Sequence, residues 1–169
     1  MTEAKKRKKP MPEEPVFDPA KQALWSRPGF LIRRLNQIHY ALFFEECAAE
    51  SITPVQYGIM TALSLRPGID QTTIGLELGL DRTTTADVLK RLEEKGYVER
   101  KVHPEDRRSR QAFITKEGMR VMSQLQAGMW NAGDRLLKPL SAADRKKFME
   151  LLSVLVDANN QYGRAVRQI

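Results

Sequence analysis

Between Asp70 and Gly96 the chain carries two helix-start residues and two helix-stop glycines in close succession. Asp70 can accept from the unpaired N–H groups of a first turn. Gly79 can close that helix, Gln71 to Leu78, in the left-handed conformation other residues resist. After Leu80-Asp81 a second helix opens at Arg82, gathers Val88, Leu89 and Leu92 on one side and stops at Gly96. Two short helices joined by so tight a glycine-containing turn have the proportions of a helix-turn-helix.

The flanks fit that unit. Tyr97 to His103 and Gln111 to Thr115 are β-prone and bracket the charged turn Pro104-Glu105-Asp106-Arg107-Arg108-Ser109-Arg110, a hairpin, or wing, directly after the second helix. Upstream, Thr53-Pro54-Val55-Gln56 predicts a capping box that opens a helix with Ile59, Met60 and Leu63 buried and Pro67-Gly68 at its end. Before it, Leu31, Leu35, Ile38 and Leu42 line one face of a helix running from Phe30 to about Ala49. Downstream, Thr115 caps a long helix carrying Met122, Leu125, Met129, Ala132 and Leu136, which Pro139 ends. Ser141 opens a last one with Phe148, Leu151, Leu152 and Leu155.

The expectation is a mainly α fold with a small two-stranded β wing, a winged helix-turn-helix with a helical dimerisation domain. Residues 53–118 form the DNA-binding lobe and 29–52 with 119–169 the dimerisation lobe. Residues 1–28, with Lys5 to Lys9 in one basic run and Pro10, Pro12, Pro15, Pro19 and Pro28, read as an extended basic arm. The terminal helices carry apolar stripes too extensive for one small helix-turn-helix to cover, which points to a homodimer with half-sites about 10 bp apart.

Charge narrows the function. The 169 residues carry a net +7, a balance that draws polyanions and makes nucleic acid the first partner to test. Arg82 to Lys116 holds ten basic residues against six acidic ones, so over half the net charge lies in about a fifth of the chain. Cys47 is the only cysteine and the histidines are His39 and His103, so one chain cannot assemble a disulfide or the usual four-ligand Cys/His zinc site, and neither metal nor cofactor is expected. No apolar run reaches the roughly 18 residues of a membrane span, and no apolar stretch follows the basic start as in a signal peptide. The expectation is a cytoplasmic protein with no membrane partner.

Off the apolar side of the second helix lie Arg82, Thr83, Thr84, Thr85, Asp87, Lys90 and Arg91. Hydroxyls and free N–H groups at a helix start can meet phosphates or base edges, and Arg or Lys further along can read guanine or pair with phosphate. In the turn, Arg107, Arg108 and Arg110 sit on a hairpin narrow enough to enter a minor groove. Asp106 reads as the partner that folds this turn onto an arginine, since no second acid or nucleophile stands beside it for catalysis.

Asp81-Arg82-Thr83-Thr84-Thr85, Leu92-Glu93-Glu94-Lys95-Gly96-Tyr97-Val98, Pro104-Glu105-Asp106-Arg107-Arg108-Ser109 and Ile114-Thr115-Lys116-Glu117-Gly118 resemble the MarR family, with the same helix order from residue 30 onward. The resemblance implies a winged helix-turn-helix transcription regulator, a repressor built as a homodimer through its terminal helices, that releases double-stranded DNA when a small ligand binds. It implies that Arg108 enters the minor groove and Asp106 braces the wing. The basic arm is longer than the family's usual start.

Pro28-Gly29-Phe30-Leu31-Ile32-Arg33-Arg34-Leu35 and Ile38-His39-Tyr40-Ala41-Leu42-Phe43 are similar to family members that control aromatic-compound degradation. That likeness implies an effector, an aromatic acid or aromatic acyl-CoA, held where the first, second and long fifth helices meet by Arg33, Arg34, His39, Tyr40, Phe43, Tyr57 and Met60. Arginine would pair with a carboxylate or a CoA phosphate while aromatic side chains stack on a ring. Cys47, near the C-terminal end of the first helix where the dipole disfavours a thiolate, is not expected to be a sensor. The competing reading is a winged-helix nucleic-acid or protein interaction module without a ligand. An enzyme is not expected, because no Ser/His/Asp, Cys/His or paired-carboxylate set is brought together and no Gly-rich phosphate loop is present.

Overall fold

The computed structural model describes residues 24–105 and 109–163. Its elements are α1 (Pro28–Glu46), α2 (Pro54–Leu65), α3 (Gln71–Leu78), α4 (Arg82–Glu94), β1 (Val98–Val102), β2 (Arg110–Ile114), α5 (Lys116–Leu137), α6 (Ala142–Ala158) and a 3-10 turn at Asn160–Tyr162. The chain divides into two compact units, residues 1–36 and 37–169. Within the first, Trp25 meets the Phe30 ring edge-on at 5.1 Å between centroids, and the Arg33 guanidinium lies 5.4 Å from that same ring.

Local chemistry sets the helix starts of the second unit. Thr53 and Gln56 close a reciprocal capping box, Thr53 N–H donating to Gln56 Oε1 at 2.9 Å and Gln56 N–H to Thr53 Oγ1 at 3.2 Å. Asp70 takes the N–H groups of Thr72 and Thr73 at 2.8 and 3.1 Å, and Ser141 takes that of Asp144 at 3.2 Å. Gly79 ends α3 at φ +65°, where a side chain would be strained.

One core runs through this unit. Ile59, Met60 and Leu63 of α2, Ile74 of α3, Leu89 and Leu92 of α4, and Val121 of α5 are fully buried, joined by Val98, Ala112 and Leu125 at no more than 2% exposure. Each such large apolar side chain contributes about 1.5–3 kcal/mol on leaving water. The wing strands pair antiparallel from Val98↔Ile114 to Val102↔Arg110. Its root is pinned on α5: a Cβ at Gly118 would stand 2.2 Å from the Tyr97 carbonyl oxygen, so only glycine lets the helix start so close to the hairpin.

Several expectations shift. Helix α1 ends at Glu46 rather than near Ala49, and β1 and β2 run one residue from the predicted spans. An isolated antiparallel bridge, Asp70 opposite Gln111, meets β2 from its other side, the Ala112 N–H donating to the Ile69 carbonyl at 3.1 Å and the Gly68 N–H to the Ala112 carbonyl at 2.9 Å. A bridge of one residue pair has no periodicity for a sequence pattern to show. Helix α6 buries no residue, and Met149, Leu151, Val154, Leu155 and Val156 are exposed along it. Among the described residues no helix is long and apolar enough to cross a membrane.

Candidate nucleic-acid interface and ligand cleft

The start of α4 is built around Asp81. Its carboxylate accepts from the Thr84 N–H at 2.8 Å and the Thr84 hydroxyl at 2.9 Å, while the Thr85 hydroxyl donates to the Asp81 carbonyl at 2.8 Å. Two expectations are corrected here. Thr85 is fully buried against Gly75 of α3, so it is a core residue and offers nothing to DNA. Thr84 is half-buried with its hydroxyl and N–H turned onto Asp81, so anion binding at this end falls to side chains more than to free backbone donors.

The outward residues of α4 are Arg82, Thr83, Asp87, Lys90 and Arg91, all exposed. Asp87 pairs with Arg91 at 2.9 Å and Lys90 approaches Glu94 at 3.7 Å, both one turn apart. Arg110 is exposed at the start of β2. Asp106, Arg107 and Arg108 lie outside the described residues.

Between the N-terminus of α3, the start of α4 and the wing opens a cleft of about 320 Å³, walled by Arg82, Arg100 and Arg110 with Gln71 and Thr72 and floored by Leu89. Gln71 Nε2 donates to the Arg82 carbonyl at 3.2 Å, tying the two helices of the turn together. Arg100 donates to Glu93 through Nε at 2.9 Å and also through Nη2. That guanidinium holds the Glu93 carboxyl below its usual range. By composition alone Arg100 is one of ten basic residues between Arg82 and Lys116. The alternation that puts Val98 in the core puts Arg100 on the same face of β1, and this is the signal that places it in the cleft.

The expected effector residues separate. Met60 and Phe43 belong to the core, at 0% and 2% exposure, and neither lines the cleft between α2 and α5. Tyr57 is half-buried, its ring 6.2 Å from Phe43, and burial pushes its phenol up. It lines a cleft of about 240 Å³ between α2 and α5 with Thr61, Met122, Gln126, Met129 and Trp130, residues the sequence reading did not select. His39 and Tyr40 are half-buried neighbours on α1, ring to ring at 6.1 Å. Arg33 and Arg34 are exposed in the first unit. Among the described residues no three His, Cys, Asp or Glu side chains gather to hold a metal ion.

A family model described as the MarR family matches residues 52–109. The PcaV transcriptional regulator of Streptomyces coelicolor, solved in complex with its natural ligand, is 36% identical, covers 79% of this chain and 94% of its own, and superimposes with a TM-score of 0.73. The transcriptional repressor CouR, solved on a 23-mer DNA duplex, is 26% identical over 80% of this chain and 96% of its own, with a TM-score of 0.74. The transcriptional regulator HosA of Escherichia coli O111:H- is 29% identical over 136 residues, 80% of this chain and 99% of HosA.

Proposed function

Because the chain belongs to the MarR family of DNA-binding transcription regulators, we propose that it acts as a homodimeric repressor released from a pseudo-palindromic operator by an aromatic acid or its CoA thioester. The observation that carries the DNA half of this reading is the outward face of α4, where Arg82, Thr83, Lys90 and Arg91 stand exposed beside the Arg110 end of the wing. In it α4 lies in the major groove, and the wing, through Arg107 and above all Arg108, reaches the adjacent minor groove. Residues 53–118 are the DNA-binding lobe, residues 29–52 and 119–169 the dimerisation lobe, and residues 1–28 a basic arm. The exposed apolar face of α6 supports a partner copy, since a helix that buries nothing in its own chain leaves that surface in water.

The effector half draws on PcaV, solved with its natural ligand, and on the α2–α5 cleft beside Tyr57. At about 240 Å³ this space suits one aromatic ring and its carboxylate. The nucleotide of a thioester would extend outside it. His39 and Tyr40, half-buried on the same unit, supply aromatic surface for the ring; Arg33 and Arg34 stay the charged candidates for a carboxylate or phosphate, to be tested by substitution. A ligand lowers operator affinity only by as much as it prefers the state that cannot bind DNA, so tenfold release needs about 1.4 kcal/mol of preference.

The test is a gel-shift titration on an operator selected from random duplexes, with benzoate-type acids and their CoA thioesters added in parallel and repeated with Arg33→Ala, Arg34→Ala and Arg108→Ala. Arg108→Ala should weaken DNA binding by about 1–3 kcal/mol at matched salt. Release by neither compound class at about millimolar concentration would refute the aromatic effector. Unchanged affinity in Arg108→Ala would remove the wing from the interface, and a monomer in sedimentation at micromolar concentration would remove the dimer.

A further inference from the structure

Thr83, Asp87 and Arg91 follow one another at successive turns of α4 and form an exposed stripe, with Lys90 beside it. Asp87 is the single acid between Arg82 and Leu92. Its carboxylate stands 2.9 Å from the Arg91 guanidinium, and both side chains are mostly in water. An exposed pair of this kind contributes little to helix stability. On a face that approaches DNA its cost is general: a carboxylate repels the phosphates of every duplex, whatever the sequence.

That cost is recovered only where the carboxylate meets a hydrogen-bond donor. The major groove offers two, the amino groups of cytosine N4 and adenine N6. Adenine sets the N7 acceptor beside its donor, which disfavours a group that can only accept. Cytosine does not, and the guanine paired with it offers O6 and N7 to an arginine. A carboxylate and a guanidinium held together on one helix face therefore match the donor and acceptors of a C·G pair.

We propose that Asp87 is the specificity-determining residue of α4, accepting from a cytosine amino group while Arg91 donates to guanine of the same or the adjacent pair. This rests on the proposed reading of α4 as the DNA-contacting helix. Asp87 lowers affinity for all other sequences and so widens the gap between operator and bulk DNA.

The experiment selects binding sequences from duplexes randomised over about two helical turns, using the full chain and its D87N and D87A variants, with helical content checked by circular dichroism. The parent should require C·G at one symmetric position of each half-site. D87N, whose amide both donates and accepts, should exchange that cytosine for adenine. D87A should relax the position by about tenfold without gaining adenine, and both variants should bind unrelated duplex more tightly than the parent. If parent and variants select the same sequence, Asp87 is only a helix-stabilising partner of Arg91 and the proposal falls while the DNA-contacting reading stands. If the parent selects no sequence at all, that reading fails and the proposal falls with it.

Discussion

Gly128 of α5 lies directly against the end of α1: a Cβ placed on it would stand 2.4 Å from the carbonyl oxygen of Glu46 and 3.1 Å from Cys47 Sγ. The same junction is bound by Arg135, which pairs with Glu46 at 2.6 Å and Glu45 at 2.9 Å. Gly128→Ala should gain about 1 kcal/mol of helix propensity but lose more by pushing backbone against backbone, a net destabilisation of about 1–3 kcal/mol. Gly133 of the same helix has nothing within 4 Å of its Cβ position, so Gly133→Ala should be neutral or stabilising. Thermal melts of the two variants check this, and equal shifts would show that the contact carries no constraint.

Thr83 and Thr85 should separate binding from stability. Thr83→Ala removes an exposed hydroxyl and should leave the melting temperature within error while weakening operator binding by about 1 kcal/mol. Thr85→Ala opens a hole beside Gly75 and deletes the bond to the Asp81 carbonyl, so it should cost about 1–3 kcal/mol of stability. Paired melts and gel shifts read both; stability loss in Thr83→Ala would contradict its placement.

Acid should loosen the start of α3 and the junction of α4 with β1. The Arg100 guanidinium holds the Glu93 carboxyl below its ordinary value. For Asp70 burial pushes upward, but bonds from the Thr73 hydroxyl and from the Thr73 and Thr72 N–H groups outweigh it, and the net shift is downward. Both carboxyls therefore have lower pKa values folded than unfolded. Their contribution is complete above the unfolded range near pH 4 and is lost as pH falls through the folded values. Glu93→Gln should be less stable than the parent at neutral pH and lose less on acidification. Melts taken from about pH 7 down to about pH 3 test it; parallel curves would mean that this pair is not linked to folding.

Cys47 should resist thiol reagents in the native protein. It is 2% exposed, burial first and the Glu46 charge second push its thiol up, and its Sγ lies 3.9 Å from the Leu125 carbonyl. Modification should need local or global opening, so the rate with an aromatic disulfide reagent should rise steeply with denaturant. Fast reaction under native conditions would place the thiol at the surface.

Much of the fold was legible because it is decided within a few residues. Thr53 and Gln56, Asp70 and Ser141 form the caps their spacing predicts, Gly79 takes the left-handed turn, and the 3.6-residue period marks Ile59, Leu63, Leu89 and Leu92 as core. Net charge and its concentration around α4 and the wing likewise needed only the order of residues.

Tertiary structure decided what each face meets. Thr83, Thr84 and Thr85 are chemically alike in sequence, yet a turn of about 100° per residue sends one into water, one onto the neighbouring cap Asp81 and one into the core, and it is the position of α3, with Gly75 against Thr85, that buries the last. Met60 and Phe43 are buried in the shared core, and the α2–α5 cleft with Trp130 exists only because two helices distant in sequence meet. Asp70 bridges to Gln111 beside β2, with Ile69 accepting from the Ala112 N–H, a pairing no local pattern encodes. Capping and periodicity are short-range terms written in neighbouring residues. Burial and cleft shape are sums over contacts between elements far apart in the chain, and these exist only once the helices have packed.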